Sequence, residues 1–170
     1  MSSRLHSHPA LEFDDSGTPR SSLFDDVFRS RAGAWDEARC VFIEGCDLPG
    51  RWRDGKRFTV LEIGFGLGVN FLATLDALER DPHGPARLNF VSIEAFPLRG
   101  VDLKRAHDSL GLRSEAAQAL QAQWPLALPG IHRLNFASGR LALWLVFGEA
   151  RALLPKLRLR ADAFFLDGFA

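Results

Sequence analysis

The segment that most constrains the fold is VLEIGFGLGVNFLATL, Val60 to Leu75. An apolar run enters three glycines at alternate positions, Gly64, Gly66 and Gly68. It leaves with apolar residues Val69, Leu72, Ala73 and Leu75 near a 3.6 period. That order is a strand, a tight turn and a helix N-terminus, a unit that brings backbone N–H groups close to a ligand. A buried strand of this kind needs neighbours on both sides, so the chain is expected to be α/β.

Three ligand classes compete for such a turn. A dinucleotide fingerprint, G-x-G-x-x-G/A, fits Gly64 and Gly66 but requires a small residue where Val69 stands. A phosphate-binding loop ending in G-K-S/T is absent. The remaining pattern is E-x-G-x-G-x-G, from Glu62 to Gly68. It suits the methionine and ribose of S-adenosyl-L-methionine (SAM), with Asn70 at the helix start able to bind the methionine carboxylate. A glycine turn that binds nothing remains the plain alternative.

The rest of the chain repeats the alternation. Strands are expected at Thr59–Ile63, Asn89–Ile93, His132–Phe136, Arg140–Phe147 and Asp162–Leu166. Helices are expected at Val69–Glu79, Leu98–His107, Ser114–Gln123 and Glu149–Leu154. The pattern implies a parallel sheet with helices on both faces. Residues 1–57 form an N-terminal extension, with a hairpin near Ala10–Thr18, a helix over Trp35–Ile43 and a Pro-, Gly- and Arg-rich linker from Leu48 to Lys56. Residues 58–170 form the Rossmann-like part.

Acids end three of the strands. Glu94 closes the second strand, where a carboxylate can accept both ribose hydroxyls. Glu149 follows the strand ending at Phe147 and can accept an adenine amino group, or can simply favour a helix N-terminus. Asp167 follows Ala163-Phe164-Phe165-Leu166 and can hold an amine nucleophile and take its proton, or can cap a turn.

Composition sets the outer limits. The 170 residues are 46% hydrophobic with a formal net charge of zero, so no overall basic field recruits nucleic acid. Basic residues at Arg51, Arg53, Lys56 and Arg57, and at Lys156, Arg158 and Arg160, read first as solvated charge and second as phosphate contacts. Two cysteines, Cys40 and Cys46, are too few for a disulfide framework, and the five histidines lack metal spacing. No metal is expected. No apolar run reaches membrane-spanning length and the first residues are polar, so a cytoplasmic protein is expected.

Six segments together resemble one family, the MnmC-type tRNA 5-methylaminomethyl-2-thiouridine methyltransferases. They are LEFDDSGTPRSSLFDDVF, LEIGFGLGVNFL, FVSIEAFPL, LQAQWPLALPGIHRL, FGEARALLP and AFFLDGFA. The resemblance implies a class I SAM-dependent methyltransferase fold and methylation of the exocyclic amine of 5-aminomethyl-2-thiouridine at the tRNA wobble position. It implies that Gly64, Gly66, Gly68, Asn70, Glu94 and Glu149 line SAM, and Glu62, which opens the motif, is counted with them as a cofactor-binding residue. It places Asp167 at the accepting amine, with Asp25 helping to close the site. In many bacteria the family fuses this domain to an FAD-dependent oxidoreductase, so FAD belongs to a further domain or a partner and not to this chain.

The chain departs from the family at Leu67, Val69, Glu149 and Phe28, where Thr, Leu, Asp and Tyr are usual. The family also continues beyond DGFA. About four sheet strands are therefore expected, with an open apolar edge, in a fold incomplete at its C-terminus. An inactive fragment, and less favourably a dinucleotide oxidoreductase, are the competing readings.

Overall fold

The computed structural model describes residues 11–13, 19–21, 26–27 and 31–166. Three short strands, β1 (Leu11–Phe13), β2 (Pro19–Ser21) and β3 (Asp26–Val27), form an antiparallel sheet in that order. The expected hairpin is β1–β2, and β3 extends it. Asp25, Phe28 and Asp167 lie outside the described residues.

Helix α1 (Arg31–Glu37) runs directly into a π-wound stretch, Ala38–Glu44. The stretch closes with the Gly45 N–H on the Cys40 carbonyl at 3.0 Å, five residues back. Ala38, Phe42 and Ile43 are its buried residues. The linker expected over Leu48–Lys56 is corrected in its first half, which is a short helix, α2 (Leu48–Trp52). Pro49 sits in the first turn, where its missing N–H is not needed. Leu48 and Trp52, four apart, share one face and are buried. The Trp52 Nε1–H donates to Asp81 Oδ2 at 2.7 Å and holds that carboxyl below its ordinary pKa.

The main sheet has five strands: β4 (Phe58–Ile63), β5 (Leu88–Glu94), β6 (Gly130–Phe136), β7 (Leu141–Phe147) and β8 (Ala163–Leu166). Their order is β6-β7-β5-β4-β8. Each of the five segments expected to be strands is one, so the summary count of about four is corrected to five. The fully parallel sheet is also corrected: β4, β5, β7 and β8 are parallel, but β6 runs antiparallel to β7. Only Ala137–Gly139 and Arg140 separate β6 from β7, too few residues for a parallel crossover.

Side-chain alternation divides the sheet into two faces. On one, Val60, Phe90, Leu143, Leu145 and Phe165 join α3 (Val69–Arg80), α5 (Glu115–Gln123) and the π-wound stretch in one buried cluster. Ala38, Phe42, Leu48 and Trp52 belong to that same cluster. On the other face, Leu61, Ile63, Val91, Ile93 and Val146 pack against Ala150 and Leu153 of α6 (Ala150–Leu153) and against Leu157. β8 lies at one edge of this sheet, and there Phe164 and Leu166 are 58% and 61% exposed.

Aromatic rings link the layers of the first face. Phe42 meets Phe165 at 4.8 Å, Phe165 meets Phe90 at 5.8 Å, Phe90 meets Phe71 at 5.5 Å, and Phe71 meets Phe136 at 4.9 Å. Phe71, fully buried on α3, therefore joins helix, central strand and edge hairpin. Phe71→Ala is expected to cost about 3–5 kcal/mol, read as a lower urea midpoint at unchanged slope.

Candidate functional site

The site is built where β4 turns into α3. All three glycines of the turn have positive φ: +88° at Gly64, +54° at Gly66 and +74° at Gly68. Gly68 is closely packed. A Cβ there would lie 2.7 Å from the Phe65 ring and 3.2 Å from Leu120 of α5. Its carbonyl accepts the Leu72 N–H at 2.9 Å, so the residue that relaxes the turn also starts the helix.

Beneath the turn lies Glu62, with no exposed surface. Its Oε1 accepts from Asn70 Nδ2 at 3.1 Å and its Oε2 from Ser92 Oγ at 2.6 Å. The carboxylate therefore ties β4 to β5 and to the first turn of α3. Asn70, 7% exposed, points its amide inward to Glu62. Asn70 and Glu62 form an internal strut below the turn.

Glu94 stands at the carboxyl end of β5, half-buried. Its Oε2 accepts the N–H groups of Phe65 at 2.9 Å and Gly66 at 3.0 Å, and its Oε1 accepts the Phe96 N–H at 2.7 Å. Consecutive backbone N–H groups in a glycine turn form an anion-binding concavity. Here the anion is the protein's own carboxylate. A ligand phosphate at those two amides would meet both a filled cradle and a like charge.

Glu149 is exposed at the neighbouring edge and begins α6 without capping it through its side chain. The Gly148 N–H donates to the Glu94 carbonyl at 2.8 Å, which brings the ends of β5 and β7 together. The structure thus gathers Gly64, Gly66, Gly68, Glu94 and Glu149 along one sheet edge. β8 enters the same edge, with Leu166 level with Ile63.

Sequence reasoning missed two supports of the turn. Trp124 packs on Phe65 at 5.5 Å and on Phe147 at 6.0 Å, with its Nε1–H on the Leu98 carbonyl at 2.9 Å. His107, on α4 (Gly100–Ser109), is fully buried under the turn. Its Nε2 lies 2.9 Å from the Leu67 carbonyl and its Nδ1 3.0 Å from Gln121 Nε2. Burial pushes its pKa below the usual histidine value. The signal was available: His107 falls on the buried stripe of Leu103, Ala106 and Leu110. Among the described residues no cluster of His, Cys, Asp or Glu could hold a metal ion, and no helix is long and apolar enough to cross a membrane.

Comparison with known proteins assigns the class. A family model described as S-adenosyl-L-methionine-dependent methyltransferase matches residues 113–170. The fold is shared with a crystal structure of MNMC2 from Aquifex aeolicus, at a TM-score of 0.67 and 21% identity, over 98% of this chain and 52% of that one. The chain carries the α/β Rossmann-like fold of a SAM-dependent methyltransferase.

Within that class it matches the methyltransferase module of the bifunctional tRNA-modifying protein MnmC. The tRNA 5-methylaminomethyl-2-thiouridine biosynthesis bifunctional protein of Paraburkholderia phytofirmans is 51% identical over 163 residues, covering 94% of this chain and 25% of that protein. The protein of the same name from Aromatoleum aromaticum is 49% identical over 160 residues, with the same coverage of 94% and 25%. The chain spans about a quarter of the length of these relatives.

Gly68→Ala combines an unfavourable φ with a close contact on Phe65. The expected cost is about 2 kcal/mol or more in stability, checked by calorimetric melting.

Proposed function

We propose that this chain binds SAM along the carboxyl edge of β4, β5 and β7. We propose further that it transfers the methyl group to the exocyclic amine of 5-aminomethyl-2-thiouridine at the tRNA wobble position, in the cytoplasm. The observation that carries the donor half is the Glu94 carboxylate on the Phe65 and Gly66 amides. It disfavours a pyrophosphate at the turn. It leaves a carboxylate with acceptor capacity to spare for ribose hydroxyls. The acceptor half is supported by the likeness to proteins named for that tRNA modification.

When bound, SAM supplies a methyl group activated on a sulfonium. The turn and Glu94 would hold the ribose, and Glu149, on the adjacent strand end, would accept the adenine amino group. An amine attacks only when neutral, so the aminomethyl group must lose its ammonium proton before attack. Asp167, following β8, serves that amine as hydrogen-bond acceptor and proton acceptor. In the transfer an N–CH3 bond would form as the S–CH3 bond breaks to leave a neutral thioether, and the Asp167 carboxylate would take the proton that the newly methylated ammonium gives up. Alignment of the amine with the S–CH3 bond supplies much of the rate. A flavin-dependent oxidoreductase, fused or separate, then belongs to the step that prepares the amine.

Titration with SAM and with NAD, followed by methyl transfer to tRNA carrying the aminomethyl base, tests the reading. Binding of SAM alone with methylated product is expected. NAD binding without SAM binding points to a dinucleotide enzyme, and SAM binding without transfer points to a binding module. Asp167→Ala is expected to lower transfer at least about 100-fold while SAM affinity is retained. Glu94→Ala is expected to weaken SAM binding by about 10- to 100-fold, with Glu94→Gln less affected.

A further inference from the structure

The glycine turn is held from below by a histidine that the proposed chemistry does not use. His107 has no exposed surface. A carbonyl can only accept, so the 2.9 Å contact with Leu67 requires the proton on Nε2. The 3.0 Å contact with Gln121 Nε2 then places an amide N–H against a bare Nδ1. One neutral tautomer satisfies both contacts, and burial favours that neutral form. The Leu67 carbonyl lies between Gly66 and Gly68, the two residues at φ +54° and +74°. Leu120, next to Gln121 on α5, packs against Gly68 itself. Two helices therefore meet the turn at adjacent peptide groups, one through a hydrogen bond and one through packing.

We propose that His107 is a positioning residue for cofactor binding: its Nε2–H, oriented by Gln121, holds the Leu67 peptide so that the turn keeps its ligand-accepting shape. The glycines permit this shape but do not select it, since each could rotate to other conformations at little cost. Glu94 fixes the amides of the turn's first half, and the buried hydrogen bond at the Leu67 carbonyl fixes its second half. The histidine touches no ligand and moves no proton. The identity of the ligand as SAM rests on the proposed function; the positioning role does not.

Three measurements on the full chain test this. In long-range 1H–15N spectra the ring of His107 is expected to show a protonated Nε2 and a bare Nδ1. A proton on Nδ1 overturns the proposal. His107→Gln keeps an N–H donor at similar reach and is expected to bind SAM within about threefold of the parent, whereas His107→Leu is expected to lose about tenfold or more. Equal SAM affinity for both variants, measured well below their melting temperatures, overturns the proposal, because a merely structural histidine would shift melting in both. Amide exchange at Phe65, Gly66 and Gly68 is read without ligand. Faster exchange in His107→Leu and parent-like exchange in His107→Gln support positioning; parent-like exchange in both overturns it. If the parent chain binds no SAM, the functional reading fails, and the exchange data still decide the role of His107. If His107→Leu does not fold, the tautomer of the parent and the affinity and exchange of His107→Gln decide it.

Discussion

A carboxylate with no exposed surface must be surrounded by donors, and Glu62 imposes that condition on the whole upper half of the sheet. Its two oxygens draw Asn70 from α3 and Ser92 from β5. Strand, neighbouring strand and helix are thereby pinned at one point directly below the glycine turn. Removing either partner would cost a buried polar group one of its hydrogen bonds, which is more costly than losing an exposed one. The hydrophobic faces set how the layers stack; Glu62 specifies where along their length they meet.

Above that point the turn is braced on two sides. Glu94 satisfies two of its amides from the β5 side, and His107 meets its central carbonyl from the α4 side. The filled amide cradle separates this site from a phosphate-binding turn of similar sequence. A turn of three glycines looks permissive in the sequence, yet Glu94 and His107 already engage three of its backbone polar groups.

Much of the fold was legible. The strand–turn–helix at Val60–Leu75 follows from its pattern, with α3 observed over Val69–Arg80 against an expected Val69–Glu79. β5 and β7 also stand where their apolar runs place them. The short helix α2 was not legible, because Pro49 and Gly50 lower local helix propensity and burial of Leu48 and Trp52 overrides it. The π winding after Glu37 leaves no residue-level mark. The direction of β6 could have been read from its short connection to β7. At the site, Glu94 and Glu149 were legible from their strand-end positions. Their partners were not: Glu94 binds backbone amides, which carry no side-chain signature, and His107 reaches across 40 residues of sequence to Leu67.

The register of β4 has a consequence in time. One neighbour, β5, pairs Val60 with Phe90, but the other, β8, pairs Val60 with Ala163. A central strand with every residue buried thus waits for about a hundred further residues before its second ladder can close. Such non-local parallel pairing folds slowly, because chain entropy is lost before the contact rewards it. While the chain is being made, the β8-facing side of β4 is open to wrong pairing, and the speed with which Ala163–Leu166 docks sets how long that exposure lasts.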